Sequence, residues 1–273
     1  QYIGGIEHAI LHLLYSRFWN IFLYDQGLVP VSEPYTKRVP HGTVLAEDGS
    51  KMSKSKGNVV NPDVLVKTHG ADTVRMYELF LGPHEASVSW SDKGIVGVAR
   101  FLDRVWYWVH NAKKTDADSE QVQHELSAAV KKVTEDIENY RFNTAVSSLM
   151  SLHNAIKDEA VTVETMQTFL KLMYPLVPHV AEELNEILTG KIEQTLQFEA
   201  WPKFDASLLT TETAKVVVQV NGKVKGTIEM PLGASEQEVK SEAMKMDKVQ
   251  TILNGAEPQK IFFVPDKVIN IVQ

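Results

Sequence analysis

The sequence has no cysteine among its 273 residues and no long hydrophobic run. Without cysteine, neither a disulfide framework nor a cysteine-ligated zinc site can form, and the composition fits a reducing compartment. No apolar stretch approaches the roughly 18 residues of a membrane-spanning helix, and no signal peptide is recognisable. These absences argue against a disulfide-stabilised secreted module and against a helical membrane protein. We therefore expect a cytoplasmic protein.

A strongly basic composition is also lacking, since the formal net charge is −7. Overall basicity therefore does not attract a nucleic acid to the whole chain. The charge is uneven, however: residues 213–273 carry 8 lysines and 7 acidic side chains, whereas residues 1–212 carry 20 basic and 28 acidic ones. These counts give net charges of +1 and −8, so any contact with a nucleic acid has to use local patches.

What is present is an ordinary globular composition, 44% hydrophobic and 23% charged, with a length that suggests two or three domains. The chain begins at Gln1, without methionine and inside a periodic segment, which suggests a piece of a longer protein. Apolar residues at spacings of three and four predict a well-buried helix over residues 3–24. They are Ile3, Ile6, Ile10, Leu14, Phe18, Ile21 and Phe22.

Three short elements are predicted next. A hairpin is expected over residues 39–50, with its turn at Asp48-Gly49. Asn61-Pro62-Asp63 begins a short helix. A second helix follows from about residue 71, with Asp72 as its expected N-terminal cap.

A helical pattern then continues from residue 93 to about residue 188. Polar gaps at 113–121 and 157–164 divide it. Four or five antiparallel helices joined by short loops form a bundle. The sequence therefore predicts an all-α domain in the middle of the chain.

The period changes to that of β-strands after an irregular linker at 199–213. Asn221-Gly222 is a strong two-residue hairpin signal between two such strands. Ser235 and Glu238 have the spacing of a capping box for a helix, and Asn254-Gly255 is expected to close a second short helix. Two further strands follow, so the tail is predicted to be a small α+β domain with the order ββααββ.

The most informative feature is the segment Lys-Met-Ser-Lys-Ser-Lys-Gly at residues 51–57, which we call the lysine loop. Lysine carries a compact charge on a mobile stem, and two or three such charges can follow a polyphosphate during a reaction. Preorganised positive charge of this kind can lower a barrier by roughly 3–4 kcal/mol. A solvated basic turn is the alternative that the composition of the loop leaves open.

A second candidate site lies at the start of the first predicted helix, where Gly4 and Gly5 precede Glu7. Paired glycines let a ligand approach the backbone, and a helix N-terminus favours anionic groups. Glu7 can accept hydrogen bonds from a ribose diol. His8 and His12 are expected to share a helix face, where a structural or surface role is the more ordinary one. A metal pair fits their spacing, but no third ligand is visible and no metal site is predicted.

These motifs resemble those of the class I aminoacyl-tRNA synthetases, and within that class the leucyl-tRNA synthetases of bacterial type. Residues 51–55 reproduce the second signature of the class, and residues 4–18 are similar to a leucyl-type segment. Further similar segments lie at 58–63, 70–75, 90–94, 100–106, 141–145 and 216–224. The resemblance covers the whole chain. Valyl, isoleucyl and methionyl relatives are the alternatives, but the histidine pair and the ββααββ tail favour the leucyl type.

The resemblance implies a multidomain fold. Residues 1–92 would be the C-terminal part of a Rossmann-like α/β catalytic domain, which includes the lysine loop. Residues 93–198 would be an all-α helical bundle of the anticodon-binding type. After the linker at 199–213, residues 214–273 would form the α+β C-terminal domain that contacts tRNA.

The resemblance also implies a reaction, the ATP-dependent activation of leucine and its transfer to tRNA(Leu). The residues that would act on the leaving pyrophosphate are Lys51, Ser53, Lys54 and Ser55. Those that would bind ATP or the adenylate are Gly4, Gly5, Glu7, Met52 and Lys54. His8 and His12 would lie at the leucine pocket, and Mg²⁺ would accompany ATP. The residues expected to contact tRNA are Arg141, Lys215, Lys223 and Lys225.

Two features of the family are missing from this sequence. It contains no His-x-Gly-His element and no inserted editing domain, and both lie upstream of the matching region in the family pattern. We therefore expect a monomeric piece that is inactive without the N-terminal half of the same enzyme. The alternative function from another class is a tRNA-binding fragment without catalysis.

Overall fold

The computed structural model describes residues 1–192, 195–209, 213–253 and 258–272. The chain forms two compact units, Gln1–Asp205 and Ala206–Gln273. Each unit has a hydrophobic core of its own. The division between them falls within the predicted linker at 199–213, of which residues 210–212 lie outside the described ranges. None of the described helices is both long enough and apolar enough to cross a membrane.

The first unit begins with a parallel strand pair. β1 (Tyr2–Gly5) lies beside β2 (Arg38–His41), and the last residues of the two strands are opposite each other. A 3₁₀ turn at Ile6–Ala9 leads from β1 towards α1 (His12–Asp25). The carboxyl ends of both strands therefore meet at one edge, which is where the candidate site of Gly4, Gly5 and Glu7 lies.

The helix predicted over residues 3–24 is wrong in two respects. It begins only at His12, because β1 pairs with a strand distant in sequence and glycine is a poor helix former. It is also not well buried: no residue of α1 is buried, and Leu14 and Phe18 each expose 66% of their surface. Periodicity predicts an apolar face, but no described element covers this one.

The hairpin predicted over residues 39–50 is reduced to its turn. β3 (Val44–Leu45) pairs in parallel with β4 (Val88–Ser89), and β2 pairs with β1, so the two strands do not pair with each other. The predicted turn at Asp48-Gly49 is confirmed: the Gly49 N–H donates to the Ala46 carbonyl at 2.9 Å, and Gly49 has a φ of +77°. The sequence pattern does not reveal the distant partners, because strand pairing depends on the tertiary fold.

Two short helices follow the lysine loop. α2 (Pro62–His69) begins as predicted, with the Asn61 side chain accepting the Asp63 N–H at 2.9 Å. α3 (Ala71–Phe80) begins after Gly70, and no side chain caps its N-terminus. Five helices then span the bundle region: α4 (Asp92–Asn111), α5 (Glu120–Glu138), α6 (Phe142–Ile156), α7 (Val163–Met173) and α8 (Pro178–Thr189).

The helices α3 to α8 share one hydrophobic core. Its fully buried side chains include Phe101 of α4, Leu149 of α6 and Phe169 of α7. Met76 of α3 is also fully buried in it. The boundary predicted at residue 92 therefore lies inside a compact unit, and the segment after the lysine loop packs directly on the bundle.

Asp72, the expected cap of α3, instead caps a helix distant in sequence. Its buried carboxylate accepts the Val180 N–H at 2.7 Å, and His179 Nδ1 lies 2.7 Å from its other oxygen. Both residues are in the first turn of α8. Nearby, Arg75 donates to the carbonyls of Pro175 and Leu176, each at 3.2 Å. These links join α3 to the corner between α7 and α8.

Part of the predicted linker is held on the bundle. Trp201 Nε1 donates to Thr134 Oγ1 at 2.8 Å. Ser127 Oγ donates to the Asp205 carbonyl at 2.9 Å. Residues 199–205 therefore belong structurally to the first unit, because α5 supplies hydrogen-bond partners that the irregular sequence does not announce.

The second unit is a four-stranded sheet with two helices. Its elements are β5 (Thr213–Val220), β6 (Lys223–Pro231), α9 (Glu236–Met244), α10 (Asp247–Leu253), β7 (Lys260–Val264) and β8 (Val268–Val272). The strand order is β6-β5-β8-β7; β5 and β8 are parallel, and the other two pairs are antiparallel.

Two local predictions for this unit are confirmed. Asn221 and Gly222 both have positive φ, +50° and +75°, and they join β5 to β6 as a two-residue turn. Ser235 and Glu238 form the reciprocal hydrogen bonds of a capping box at the start of α9. The predicted closure at Asn254-Gly255 lies outside the described residues.

Candidate functional site

The lysine loop follows directly after the turn at Asp48-Gly49, the confirmed part of the predicted hairpin. Leu45 and Lys51 form an antiparallel bridge, and the Ala46 N–H donates to the Ser50 carbonyl at 2.9 Å. The Ser50 N–H donates to Asp48 Oδ1 at 2.9 Å, and this main-chain hydrogen bond is the largest cause that lowers the pKa of Asp48. The base of the loop is therefore fixed by its own backbone.

Asn58 closes the loop from its other end. Its side-chain oxygen accepts the Ser53 N–H at 2.9 Å, and its amide nitrogen donates to Ser50 Oγ at 2.9 Å. Ser53 Oγ accepts the Lys56 N–H at 3.3 Å, which caps a 3₁₀ turn at Lys54–Lys56. One asparagine thus holds both ends of the loop, and the two predicted serines lie 3.1 Å apart, oxygen to oxygen.

The lysines project from this fixed frame. Lys51, Lys54 and Lys56 are exposed, and none of them forms an ion pair with any described residue. Met52 and Val60 are partly buried and pack against the core of the first unit. The loop therefore presents positive charge that forms no direct ion pair with the described residues, while its apolar members anchor it, as an anion-binding segment requires.

Gly4, Gly5 and Glu7 lie at the carboxyl end of β1. A side chain at Gly5 would meet the Glu7 carboxylate at 2.6 Å, and one at Gly4 would meet the Tyr2 ring at 2.7 Å, so both positions need glycine or a shift of those side chains. The main-chain N–H of Glu7 itself is the largest cause that lowers the pKa of its carboxyl. Burial opposes this shift, and the charges of His8, Lys51 and His41 lower the pKa further. Glu7 is therefore ionised and within electrostatic range of the lysine loop.

His41 is a member of this site that the sequence interpretation missed. It ends β2 directly opposite Gly5, and it contributes to the field on Glu7. Its Nδ1 lies 2.6 Å from the Gly42 carbonyl. A side chain at Gly42 would meet the Ala86 carbonyl oxygen at 1.8 Å, so only glycine fits there. The signal was available in the sequence: a Pro-His-Gly triplet stands at the end of a short strand.

His8 and His12 are close, although they do not share a continuous helix. His8 lies in the 3₁₀ turn and His12 begins α1; their ring centroids are 6.4 Å apart. His12 also stacks on Tyr2 at 5.4 Å and meets Tyr15 edge to face at 5.4 Å. Nδ1 of each histidine is buried and has no hydrogen-bond partner among the described residues. The structure thus groups them in an aromatic cluster beside β1.

Arg141, which the sequence analysis predicts to contact tRNA, also has a structural role. Its Nε donates to Oδ1 of the fully buried Asp136 at 2.8 Å, and Lys132 pairs with the other carboxylate oxygen. Burial raises the pKa of Asp136, but hydrogen bonds from Lys132, Thr144 and Arg141 outweigh it and hold the pKa below its ordinary value. Arg141 therefore secures the corner between α5 and α6, and its contact with tRNA stays a prediction.

The three lysines predicted in the second unit differ in their surroundings. Lys215 lies 3.6 Å from Glu229, which partly neutralises it. Lys223 is exposed at the hairpin turn, whereas Lys225 is half-buried beside the register shift between β5 and β6. Neither Lys223 nor Lys225 forms an ion pair within the described ranges. Lys223 and Lys225 therefore keep their charge, and their role in tRNA binding stays a prediction.

No three metal-ligating side chains come together anywhere in the described part of the chain. The lysine loop itself offers cationic groups and hydroxyls.

The geometry can be compared with known proteins. The family model for class I tRNA synthetases (I, L, M and V) matches residues 16–91, and the model for the anticodon-binding domain of tRNA ligase matches residues 120–240. A similar solved structure is the ternary complex of Agrobacterium radiobacter K84 agnB2 LeuRS-tRNA-LeuAMS, with 32% identity and a TM-score of 0.72. The match covers 99% of this chain and 38% of that chain, so this chain spans well under half of its relative.

The two family matches occur in the order that the sequence predicts, and the structural match extends over nearly the whole chain. The coarse expectation of a class I synthetase segment followed by an anticodon-binding domain is therefore confirmed. The chain belongs to the class I aminoacyl-tRNA synthetases, and it is similar to the C-terminal portion of a leucyl-tRNA synthetase.

Proposed function

We propose that this chain provides the lysine-loop half of the leucine-activating site of a leucine–tRNA ligase, together with its tRNA-binding portion. The observation that carries this proposal is the lysine loop: a fixed turn that presents three exposed lysines, none of them in a direct ion pair with a described residue, near an ionised Glu7. The proposed substrates are ATP, leucine and tRNA(Leu), and the proposed location is the cytoplasm.

The proposed chemistry has two steps. The leucine carboxylate attacks the α-phosphorus of ATP and expels pyrophosphate, and a ribose hydroxyl at the end of the tRNA then attacks the adenylate. Lys51 and Lys54 act in the first step, because their charges stabilise the negative charge that develops on the leaving group. Ser53 and Ser55 hold the loop and offer hydroxyl donors. No covalent enzyme intermediate is needed, since positioning and charge supply the catalysis.

The remaining residues of the site bind rather than react. Gly4 and Gly5 leave the backbone open to the adenylate, and Glu7 accepts hydrogen bonds from its ribose. Met52 supports the loop from the core side. His8 and His12 border the leucine pocket through their aromatic cluster. Mg²⁺ enters with ATP as part of the substrate and screens its phosphates.

The partner that completes the site is the N-terminal half of the same enzyme. The exposed apolar face of α1 supports this proposal, because contiguous exposed apolar surface marks an interaction site. Its most exposed members are Leu14, Phe18 and Trp19. The half that carries the His-x-Gly-His element would cover this face, and the assembled enzyme would act as a monomer.

The test uses leucine-dependent pyrophosphate exchange in a complete parent enzyme. Lys54→Ala should lower the exchange rate about 100-fold or more and leave the leucine KM nearly unchanged, because the lost interaction forms only in the transition state. Lys67→Ala, in the last turn of α2, is the matched control and should retain activity. A normal rate with a raised leucine KM would contradict the proposal.

The same assay on the isolated 273-residue chain should give no exchange above background, since it lacks the His-x-Gly-His element. Steady exchange by the isolated chain would mean that the ATP site is built differently. If the lysine-loop variant keeps full activity while the isolated chain binds tRNA, the alternative of a binding module without catalysis becomes the better interpretation.

The tRNA part of the proposal is tested through the second unit. Replacing both Lys223 and Lys225 by alanine should weaken the binding of all tRNA sequences to a similar degree. The slope of the logarithm of the binding constant against the logarithm of the salt concentration should fall in magnitude by about 1–2. Lys245→Ala is the control, since Lys245 is already ion-paired with Glu242 at 2.7 Å. Unchanged affinity and an unchanged slope in the double variant would leave these lysines as solvated surface.

A further inference from the structure

A cleft of about 420 Å³ lies between α4 and α6, and it shares no lining residue with the lysine loop. Its walls include Arg104, Trp108 and Asn111 of α4 and His153 of α6, and Lys157 follows the end of α6. Pockets for small molecules typically measure about 300–1,000 Å³. The cleft is therefore large enough for a ligand, and the proposed function makes no use of it.

The floor of the cleft contains polar atoms without partners. Trp108 is 4% exposed and His153 is 2% exposed. Trp108 Nε1 and both ring nitrogens of His153 are buried and form no hydrogen bond to any residue that the structure describes. Native folds satisfy nearly all buried polar groups, so three such atoms at one cleft require an explanation.

The chemistry of these atoms defines what would satisfy them. Burial, aided by the charge of Arg104, lowers the pKa of His153 to about 4, so the imidazole is neutral at pH 7. The main-chain carbonyl of Arg104 raises the pKa in the opposite direction, although it lies outside hydrogen-bond geometry. A neutral imidazole has one donor and one acceptor nitrogen, and the indole of Trp108 adds a second donor.

The surrounding rings fix this arrangement. The His153 ring meets Phe101 at 5.8 Å and 87°, and Trp108 at 5.7 Å and 82°, both edge to face. Phe169 approaches it at 6.2 Å. Because aromatic side chains confine the imidazole, it cannot turn towards solvent. A partner for its nitrogens has to come into the cleft.

The rim of the cleft carries balanced charge. Arg104 and Lys157 are its cations and Asp103 and Asp158 are its anions, and Lys157 already pairs with Asp158 at 3.0 Å. Neither sign is in excess, so the rim does not select a charged ligand. An uncharged molecule fits this environment best.

We propose that this cleft binds an uncharged, planar nitrogen heterocycle that carries a ring N–H beside a ring nitrogen acceptor. The acceptor takes the N–H of Trp108, and the ring N–H donates to the acceptor nitrogen of His153. The ligand thus satisfies two of the three atoms, and the third, the N–H of His153, has the main-chain carbonyl of Arg104 near it. The flat body of the ligand lies against the apolar parts of α4. The proposed site is separate from the aminoacylation site and does not depend on that assignment.

The test is a titration of the isotope-labelled full chain with benzimidazole, a flat bicyclic heterocycle with this pattern. The chain has five tryptophans, and Trp108→Phe identifies the Trp108 indole signal by its loss. We expect that signal to move furthest and to saturate. Indene, which has the same shape without nitrogen, should bind at least about tenfold more weakly, because it makes no hydrogen bond in the cleft.

Two variants complete the experiment. His153→Leu should weaken benzimidazole binding about tenfold or more, whereas His110→Leu, on α4 but outside the cleft, should leave it unchanged. Binding of indene as tight as that of benzimidazole, or no saturable shift of the Trp108 signal, would overturn the proposal and leave the nitrogens to water. The indene comparison uses the unaltered chain, so it decides the question even if His153→Leu does not fold.

Discussion

α1 and α6 have similar lengths, 14 and 15 residues, and both are rich in apolar side chains, yet their burial is opposite. No residue of α1 is buried. α6 buries Ala145, Val146, Leu149, Leu152, His153 and Ile156. α6 packs against α5 and α3, whereas the described residues around α1 form no layer that buries it. Apolar spacing therefore predicts that a helix has an apolar face. It does not indicate whether another element of the same chain covers that face.

The energetic consequence of this difference can be measured within one molecule. All five tryptophans lie in Gln1–Asp205, so the intrinsic fluorescence reports unfolding of the first unit only. Substitutions in α1 and in the bundle are thus read by the same probe. The expected effects range from several kcal/mol in α6 to almost nothing in α1.

The largest effect is expected for Leu149→Ala in α6. Leu149 is fully buried, so the substitution removes packed methyl groups and leaves a cavity. The free energy of unfolding should fall by about 3–4 kcal/mol, measured by urea denaturation followed by fluorescence. A loss below about 1 kcal/mol would mean that the core of the bundle is loosely packed, and the contrast with α1 would then disappear.

The second effect concerns His153 and acid. Its pKa is about 4 in the folded chain, against about 6.5 when unfolded, so the unfolded chain takes up the proton first as the pH falls. The stability contributed by the neutral ring is complete above about pH 6.5 and is lost as the pH falls towards 4. Between pH 7 and about pH 4.5 the loss should be about 2–3 kcal/mol.

The measurement for His153 is a comparison of two pH profiles. The free energy of unfolding of His153→Leu should depend less steeply on pH than that of the unaltered chain, because every other titrating group is common to both. Parallel profiles would show that the ring is protonated equally easily in both states. Burial of the His153 ring in α6 would then have no thermodynamic signature.

A smaller effect is expected for Asp72→Ala. This substitution removes the acceptor of the Val180 N–H and of His179 at the start of α8. Loss of such a cap should cost about 1–2 kcal/mol in urea denaturation. Asp63→Ala, at an exposed site in the first turn of α2, is the control and should cost less than about 0.5 kcal/mol. Equal losses in the two variants would contradict the assignment of Asp72 as a long-range cap.

The smallest effect is expected for Leu14→Ser in α1. Leu14 exposes 66% of its surface, so a polar side chain there should change the free energy of unfolding of the isolated chain by less than about 0.5 kcal/mol. In the complete parent enzyme the same substitution should destabilise clearly, because the face would be covered. A large loss in the isolated chain would show that α1 is already packed.

The features that the sequence predicted well are those determined by neighbours along the chain. The Asn221-Gly222 turn, the Ser235–Glu238 capping box and the Asn61 cap all depend on residues within three positions of one another. The bundle helices were predictable because their apolar period continues over several turns. The lysine loop was recognisable because its composition and its glycine are local properties.

The features that were missed depend on distant partners. β1 pairs with a strand that begins more than 30 residues later, and Asp72 caps a helix 108 residues away. His41 joins the site only through this strand pairing. Asn58 was visible after the lysine loop, but its double hydrogen bond to Ser50 and Ser53 requires the loop to be closed first. Sequence spacing has no access to such contacts, because they depend on the tertiary fold.

The two side chains through which α3 holds the α7–α8 corner have a further consequence. Arg75 offers its positive charge to carbonyls just beyond the C-terminus of α7, and Asp72 offers its negative charge to the N-terminus of α8. The partial charges of helix ends have the complementary signs, so one short helix compensates the dipoles of two others in succession. Exchanging the two residues, Asp72→Arg with Arg75→Asp, would keep the composition and the net charge identical and would place both charges against like poles.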